Sequence, residues 1–139
     1  MARAGLVALV TLAAAAGCAP TVASSNLVAV DQDGNPITSL RVDVTPVGRT
    51  TLVPILITNV GDDTSSPLSL AMSGEAAAEF TIRPGSCVDL TLDPQVTCRT
   101  SLEFHAQVAG QRMARLTISS AEASTVLDLL TDVFDPAVR

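Results

Sequence analysis

The side chains best suited to chemistry are few: the cysteines Cys18, Cys87 and Cys98, and the lone histidine His105. A thiol can be acylated, oxidised to a disulfide or given to a metal, and imidazole is the natural proton carrier near neutral pH. Nucleophilic catalysis needs more, namely a base beside the nucleophile and a third group that orients the base. His105 has Glu103 within reach only across a strand repeat, and no motif places a Ser or Cys against it. GxSxG, HExxH and a Gly-rich phosphate loop do not occur, and no carboxylate pair is signalled. His105 therefore reads as a surface histidine, and the sequence predicts no catalytic residue, metal or cofactor. Asp31-x-Asp33-Gly34-Asn35 resembles the opening of a calcium loop. Such a loop wants Gly at its sixth place and a bidentate carboxylate at its twelfth, where this chain has Pro36 and Val42. The cluster Asp31–Pro36 is thus expected to be a hairpin turn.

Cys18 sits differently. Arg3 precedes an uncharged apolar run, Gly5–Ala16, too short for the roughly 20 residues of a membrane span and suited to a signal-peptide core. The run ends Ala15-Ala16-Gly17-Cys18, which resembles a bacterial lipobox, although Ala15 stands where Leu is usual. Cleavage before Cys18 would leave 1–17 as signal peptide. The Cys18 sulfur would carry diacylglycerol, and 18–25 would tether the domain at the membrane. Ordinary secretory cleavage after Gly17 or Ala19, leaving Cys18 a spare thiol, is the alternative. The count favours lipidation: three cysteines are odd for an exported chain, and an acylated Cys18 beside a Cys87–Cys98 bridge leaves none over.

The 139 residues allow one domain with its own core. Apolar residues are 47% and aromatics 2%, with neither Trp nor Tyr, so Val, Leu, Ile and Ala must build the interior. Phe80, Phe104 and Phe134 are assigned to it. A net charge of −6, with acidic residues scattered and all eight basic residues Arg, argues against a nucleic-acid partner.

The stretch Cys87–Ser119 is expected to form a ribbon on which the remaining strands pack. Cys87 leads into 88–92, Asp93-Pro94-Gln95 turns, and from Val96 the period is two. Val96, Cys98, Thr100, Leu102 and Phe104 should face inward; Thr97, Arg99, Ser101, Glu103 and His105 outward. After a turn at Ala109-Gly110, Ala114, Leu116 and Ile118 make a second inward row, with Met113, Arg115 and Thr117 outward. Earlier strands are expected at 26–30, 40–44, 50–59 and 68–72, one helical turn at 74–79, and a short strand at Phe80–Ile82. The last segment is ambiguous. Ser119–Glu122 fits a helical capping box and Val126, Leu127, Leu130, Val133 and Phe134 a helix, whereas Leu127, Leu129 and Val133 fit a strand. Topology prefers a strand beside 113–119. Seven or eight short strands with closely spaced turns predict an all-β sandwich over 26–135.

Several blocks resemble the bacterial choice-of-anchor D domains, relatives of ASH (abnormal-spindle/hydin-type) immunoglobulin-like modules and similar to pilus-chaperone sandwiches. They are Ile55–Gly61 with its Asn59-Val60-Gly61 ending, Phe80-Thr81-Ile82, Ser86-Cys87, Leu92-Asp93-Pro94, Thr97-Cys98, Leu102-Glu103-Phe104, Gly110 and Arg115–Ile118. Ala106 and Gln95 depart from the usual Pro and Gly. The resemblance covers roughly 40–134, implies a Cys87–Cys98 disulfide and tips 126–133 toward a final strand. The spacing of the two cysteines in an exported chain agrees with a disulfide; a metal site is the rival, without a nearby His or third thiol.

These readings converge on a non-catalytic, membrane-anchored lipoprotein that binds or scaffolds a protein of the bacterial cell envelope. Its expected contact surface is the polar row Arg99, Ser101, Glu103 and His105 together with Arg112 and Arg115, for which a merely solvated sheet face is the plainer account. A carbohydrate-binding surface protein and a passive envelope spacer are the alternatives. The former lacks the Trp and Tyr platforms that sugar rings stack on.

Overall fold

The computed structural model describes residues 24–85 and 87–137. The expected signal peptide 1–17, the expected lipidation site Cys18 and residues 19–23 of the expected tether lie outside the described residues. Among the described residues ten strands form: β1 (Leu27–Val30), β2 (Pro36–Ile37), β3 (Ser39–Arg41), β4 (Thr45–Pro46), β5 (Thr50–Asn59), β6 (Ser69–Ser73), β7 (Phe80–Ile82), β8 (Thr97–His105), β9 (Gly110–Ser119) and β10 (Ser124–Phe134). A 3₁₀ turn, Ala77–Glu79, precedes β7, where a single helical turn was expected. One sheet runs β2-β1-β5-β8-β7; the other runs β3-β10-β9-β6, with β4 also on β10.

The long strands follow the period-two pattern of their sequences, because one face of each sheet must be apolar where the two sheets meet. Val53, Ile55 and Ile57 of β5 meet Cys98, Leu102 and Phe104 of β8 from one side, and Ala114, Leu116, Ile118, Leu127 and Leu129 close the core from the other. The Phe80 and Phe104 rings lie 4.7 Å apart between centroids. The final segment is a strand, antiparallel to β9 over its full length from Ser124↔Ser119 to Val133↔Gly110. Its alternation hides Leu127, Leu129, Thr131 and Val133, a pattern that a helix would have scattered around its axis. The expected strand at 40–44 is strand only to Arg41, in β3; residues 42–44 lie outside the strands, and β4 follows, with both β3 and β4 parallel to β10.

Four expectations are corrected. The stretch Cys87–Ser119 is not a ribbon: β8 and β9 belong to opposite sheets, and the 106–109 connection crosses between them. Residues 88–92 make no strand; they turn, with Asp89 at φ 61°. Val96 is exposed, because its N–H closes the 93–96 turn on the Asp93 carbonyl and the pleat begins only at Thr97. Phe134 is 47% exposed, since it lies on the even-numbered, outward side of β10, opposite to the inward Val133.

Candidate binding surfaces

The end of the sandwich that holds Ser24 and Ser25 is built on Asn59, the last residue of β5. Its side chain is fully buried and uses every hydrogen-bonding group it has. Oδ1 accepts from Asn26 N–H at 3.1 Å and Gly61 N–H at 2.9 Å, while Nδ2 donates to the Asp63 carbonyl at 2.7 Å and the Leu92 carbonyl at 2.9 Å. One amide thus ties β5, the 60–67 loop, the start of β1 and the 88–96 segment. Gly61 is needed beside it, because a Cβ there would stand 2.1 Å from the Ser24 carbonyl oxygen. That carbonyl accepts from Asp62 N–H, and Val60 N–H donates to the Asn26 carbonyl. Ser24 and Ser25, which fall within the expected tether 18–25, are therefore docked onto the domain.

Glu122, in the β9–β10 turn, completes this end. It accepts from the Ser66 hydroxyl and N–H, from Ser120 Oγ at 3.1 Å and from Ser25 Oγ at 3.4 Å. The Ser66 hydroxyl, followed by the Ser66 N–H, pulls its carboxyl down to about 2. Glu122 thus joins two loops of a β end instead of capping a helix, and no sequence signal foretold that.

The residues of the expected contact surface are not brought together. Arg99, Ser101, Glu103 and His105 do share the outer face of the β5–β8 sheet. His105 Nδ1 is hydrogen-bonded to Thr50 Oγ1 at 2.9 Å, and Glu103 faces Arg83 at 3.7 Å. Leu52, Pro54 and Leu56 of β5 stand directly opposite Glu103, Ser101 and Arg99, so this face mixes charge with apolar area. Leu52 is 54% exposed. Arg115 lies on the outer face of the other sheet, paired with Asp128 at 3.0 Å across β9 and β10. Arg112 is on neither outer face. It has the parity of Ala114 and Leu116 and points into the far end of the sandwich, where its Nε and Nη2 both donate to Glu79 Oε2 at 2.8 Å. Glu79 is 4% exposed and also accepts from the Gln107 and Val108 N–H groups, so it fixes the crossing between sheets.

Cys87 and Cys98 are joined, with Cα atoms 5.5 Å apart, within the usual range for a disulfide. The bond links Cys87, whose carbonyl accepts from Leu90 N–H in the 87–90 turn, to β8. Asp31 closes the β1–β2 hairpin: Oδ1 accepts from the Asp33 and Asn35 N–H groups, and these bonds, led by Asn35, hold its carboxyl below the ordinary aspartate value. A cleft of about 500 Å³ opens where β1 leaves β5 and the chain crosses to β3; Ile37, Leu40, Val42, Leu52 and Val53 line it, with Asp43 and Arg99 among the polar residues. Its size suits a small ligand or an apolar side chain.

No family model matches the chain, and no curated protein matches it. Solved structures do. The ASH/PapD-like domain 7 of human CEP192 is similar at 14% identity and TM-score 0.52, over 78% of this chain and 85% of that one. The fold is immunoglobulin-like. The sheet orders correspond to the A-B-E-D and C-F-G sheets of such sandwiches, with the first strand split between the two. The periplasmic chaperone SfaE is similar at 17% identity and TM-score 0.50, over 69% of this chain and 57% of that one. Part of a Clostridium perfringens family 123 glycoside hydrolase aligns at 10% identity and TM-score 0.58, over 71% of this chain; the chain spans only 23% of that enzyme. At these identities the likeness concerns the fold alone.

Proposed function

We propose that this protein is a non-catalytic lipoprotein of the bacterial envelope, anchored through Cys18, whose immunoglobulin-like domain of the choice-of-anchor D and ASH kind binds a protein partner there. The observation that carries this reading is the docking of Ser24 and Ser25 onto the Asn59 and Glu122 end. Residues 19–23 alone separate Cys18 from docked chain, a reach of about 20 Å when fully stretched. An acylated Cys18 would therefore hold the Asn59–Glu122 end close to the bilayer. The outer face of the β5–β8 sheet, with Arg99, Glu103 and His105 beside Leu52 and Leu56, would stand roughly perpendicular to the membrane and remain open to a neighbour. Mixed apolar and charged area of this kind is what protein interfaces use, with the apolar part supplying energy and the charges selectivity.

Two measurements test this. Intact mass of the membrane-extracted protein is expected to begin at Cys18 with a diacylglycerol adduct; an unmodified chain starting at Cys18 or beyond would remove the anchor. A photo-crosslinker at Ser101 is expected to capture one envelope protein in stoichiometric yield, lost in Cys18→Ser, while the same group at Thr117 on the opposite sheet does not. Equal yields from both positions, or capture of polysaccharide only, would overturn the protein-binding role of this face.

A further inference from the structure

Sheet edges leave backbone N–H and C=O groups unpaired, and proteins usually blunt them with Pro, charge or shortness. Most edges here are blunted in that way. β2 has two residues and begins with Pro36; β3 and β4 are short and carry Arg41 and Pro46; β7 has three residues between Glu79 and Arg83. The stretch of β5 that β1 leaves uncovered contains Pro54. The outer edge of β6, Ser69-Leu70-Ala71-Met72-Ser73, has none of these devices, and residues 64–74 carry no charge at all.

The hydrogen-bond phase of β6 follows from its neighbours. Ser120 N–H donates to the Ala123 carbonyl, so even residues of β9 bond to β10 and odd ones to β6. Through the register Ser69↔Ser119, Ala71↔Thr117 and Ser73↔Arg115, the odd residues of β6 are satisfied within the sheet. Even residues point outward. Leu68 is met there by the Asp89 N–H and the Leu90 carbonyl, whereas Leu70 and Met72 have no partner among the described residues. Two donors and two acceptors thus lie in a row.

We propose that this edge pairs with the same edge of a second copy of the chain, antiparallel and about a two-fold axis through Ala71. In that register Leu70 of one copy meets Met72 of the other. Each such pair exchanges two N–H···O=C bonds, so all the open groups are satisfied at once. Ala71 faces Ala71 of the second copy at a non-hydrogen-bonded position, where side chains come closest and a small residue fits. Ser69 meets Ser73, and the two sheets become one continuous sheet. Charge selects the same strip: two chains of net charge −6 repel, and this uncharged segment is where they can approach. The pairing needs no lipid anchor, so it stands or falls separately from the function proposed above.

Ala71 is exposed and outward, opposite Thr117 in its own sheet, so a charge there leaves the fold intact while placing like charges face to face across the two-fold. Sedimentation of the full chain in excess non-ionic detergent micelles is expected to give a dimer for the natural sequence. Ala71→Lys and Ala71→Glu should each halve the protein mass without changing the circular dichroism spectrum, and their mixture should restore the dimer. A monomeric natural chain, a dimer that survives Ala71→Lys, or a mixture that fails to recombine would each overturn the proposal.

Discussion

Asn59 shows how much a single amide can organise. Four backbone groups from three segments converge on its buried side chain, and truncation removes this partner from each, although the Leu92 carbonyl keeps the Ser65 N–H. At about 1 kcal/mol per bond, with the added cost of stranded groups, Asn59→Ala should lower unfolding free energy by about 3–4 kcal/mol in urea titration. The same variant should loosen Ser24 and Ser25, read as faster amide exchange at Asn26 and Val60. Glu122 acts at the same end by charge. Its folded-state carboxyl titrates near 2 against an ordinary 4.5, so its contribution is present above 4.5 and is lost as pH falls through about 2. Carbon-detected NMR should place the Glu122 midpoint near 2, and Glu122→Gln should flatten the dependence of stability on pH between about 2 and 4.5.

At the scale of elements, the crossing between sheets depends on one buried ion pair. Glu79 receives two N–H groups of the 106–109 connection as well as the Arg112 guanidinium, which leaves none of its oxygens unused. Removing one member of such a pair strands the other, at a typical cost of 3–5 kcal/mol. Because Arg112 keeps the half-exposed contact with Glu75 at 3.5 Å, Glu79→Gln is expected near the lower end, about 3 kcal/mol by thermal or chemical denaturation. The double variant Glu79→Gln with Arg112→Met should cost less than the sum of the single changes, since no charge is then buried alone. Arg112 illustrates a limit of alternation read from sequence. Its parity put it in the inward row, yet a charged residue reads as outward until the partner supplied by the 3₁₀ turn is known.

For the molecule as a whole, the disulfide is the covalent link that complements a core with few aromatic residues. It closes a loop of sequence separation 11, worth about 3 kcal/mol in the chain-entropy model, against total stabilities of roughly 5–15 kcal/mol for such domains. Cys87→Ala with Cys98→Ala should therefore remain folded at room temperature but melt well below the natural protein, and reduction should reproduce that shift. Persistence of the natural melting temperature after verified reduction would show that the loop is ordered by Asn59 and Leu92 instead.

The sequence by itself determined the all-β class, most of the strand cores and the inward rows of β8 and β9, because a half-buried strand writes its orientation into every second residue; for β10 alternation left helix and strand open. It also carried the cysteine pair and the Asn59-Val60-Gly61 signature. Only the tertiary structure decided that β8 and β9 part to opposite sheets, since alternation fixes which face of a strand is buried and is silent about which strand lies beside it. For that reason Arg99, Glu103 and His105 were grouped in sequence with Arg115, although the thickness of the sandwich separates them. The roles of Glu122, Glu79 and the open edge at Leu70 and Met72 likewise depend on partners distant in the chain, and the chain's local pattern holds no record of them.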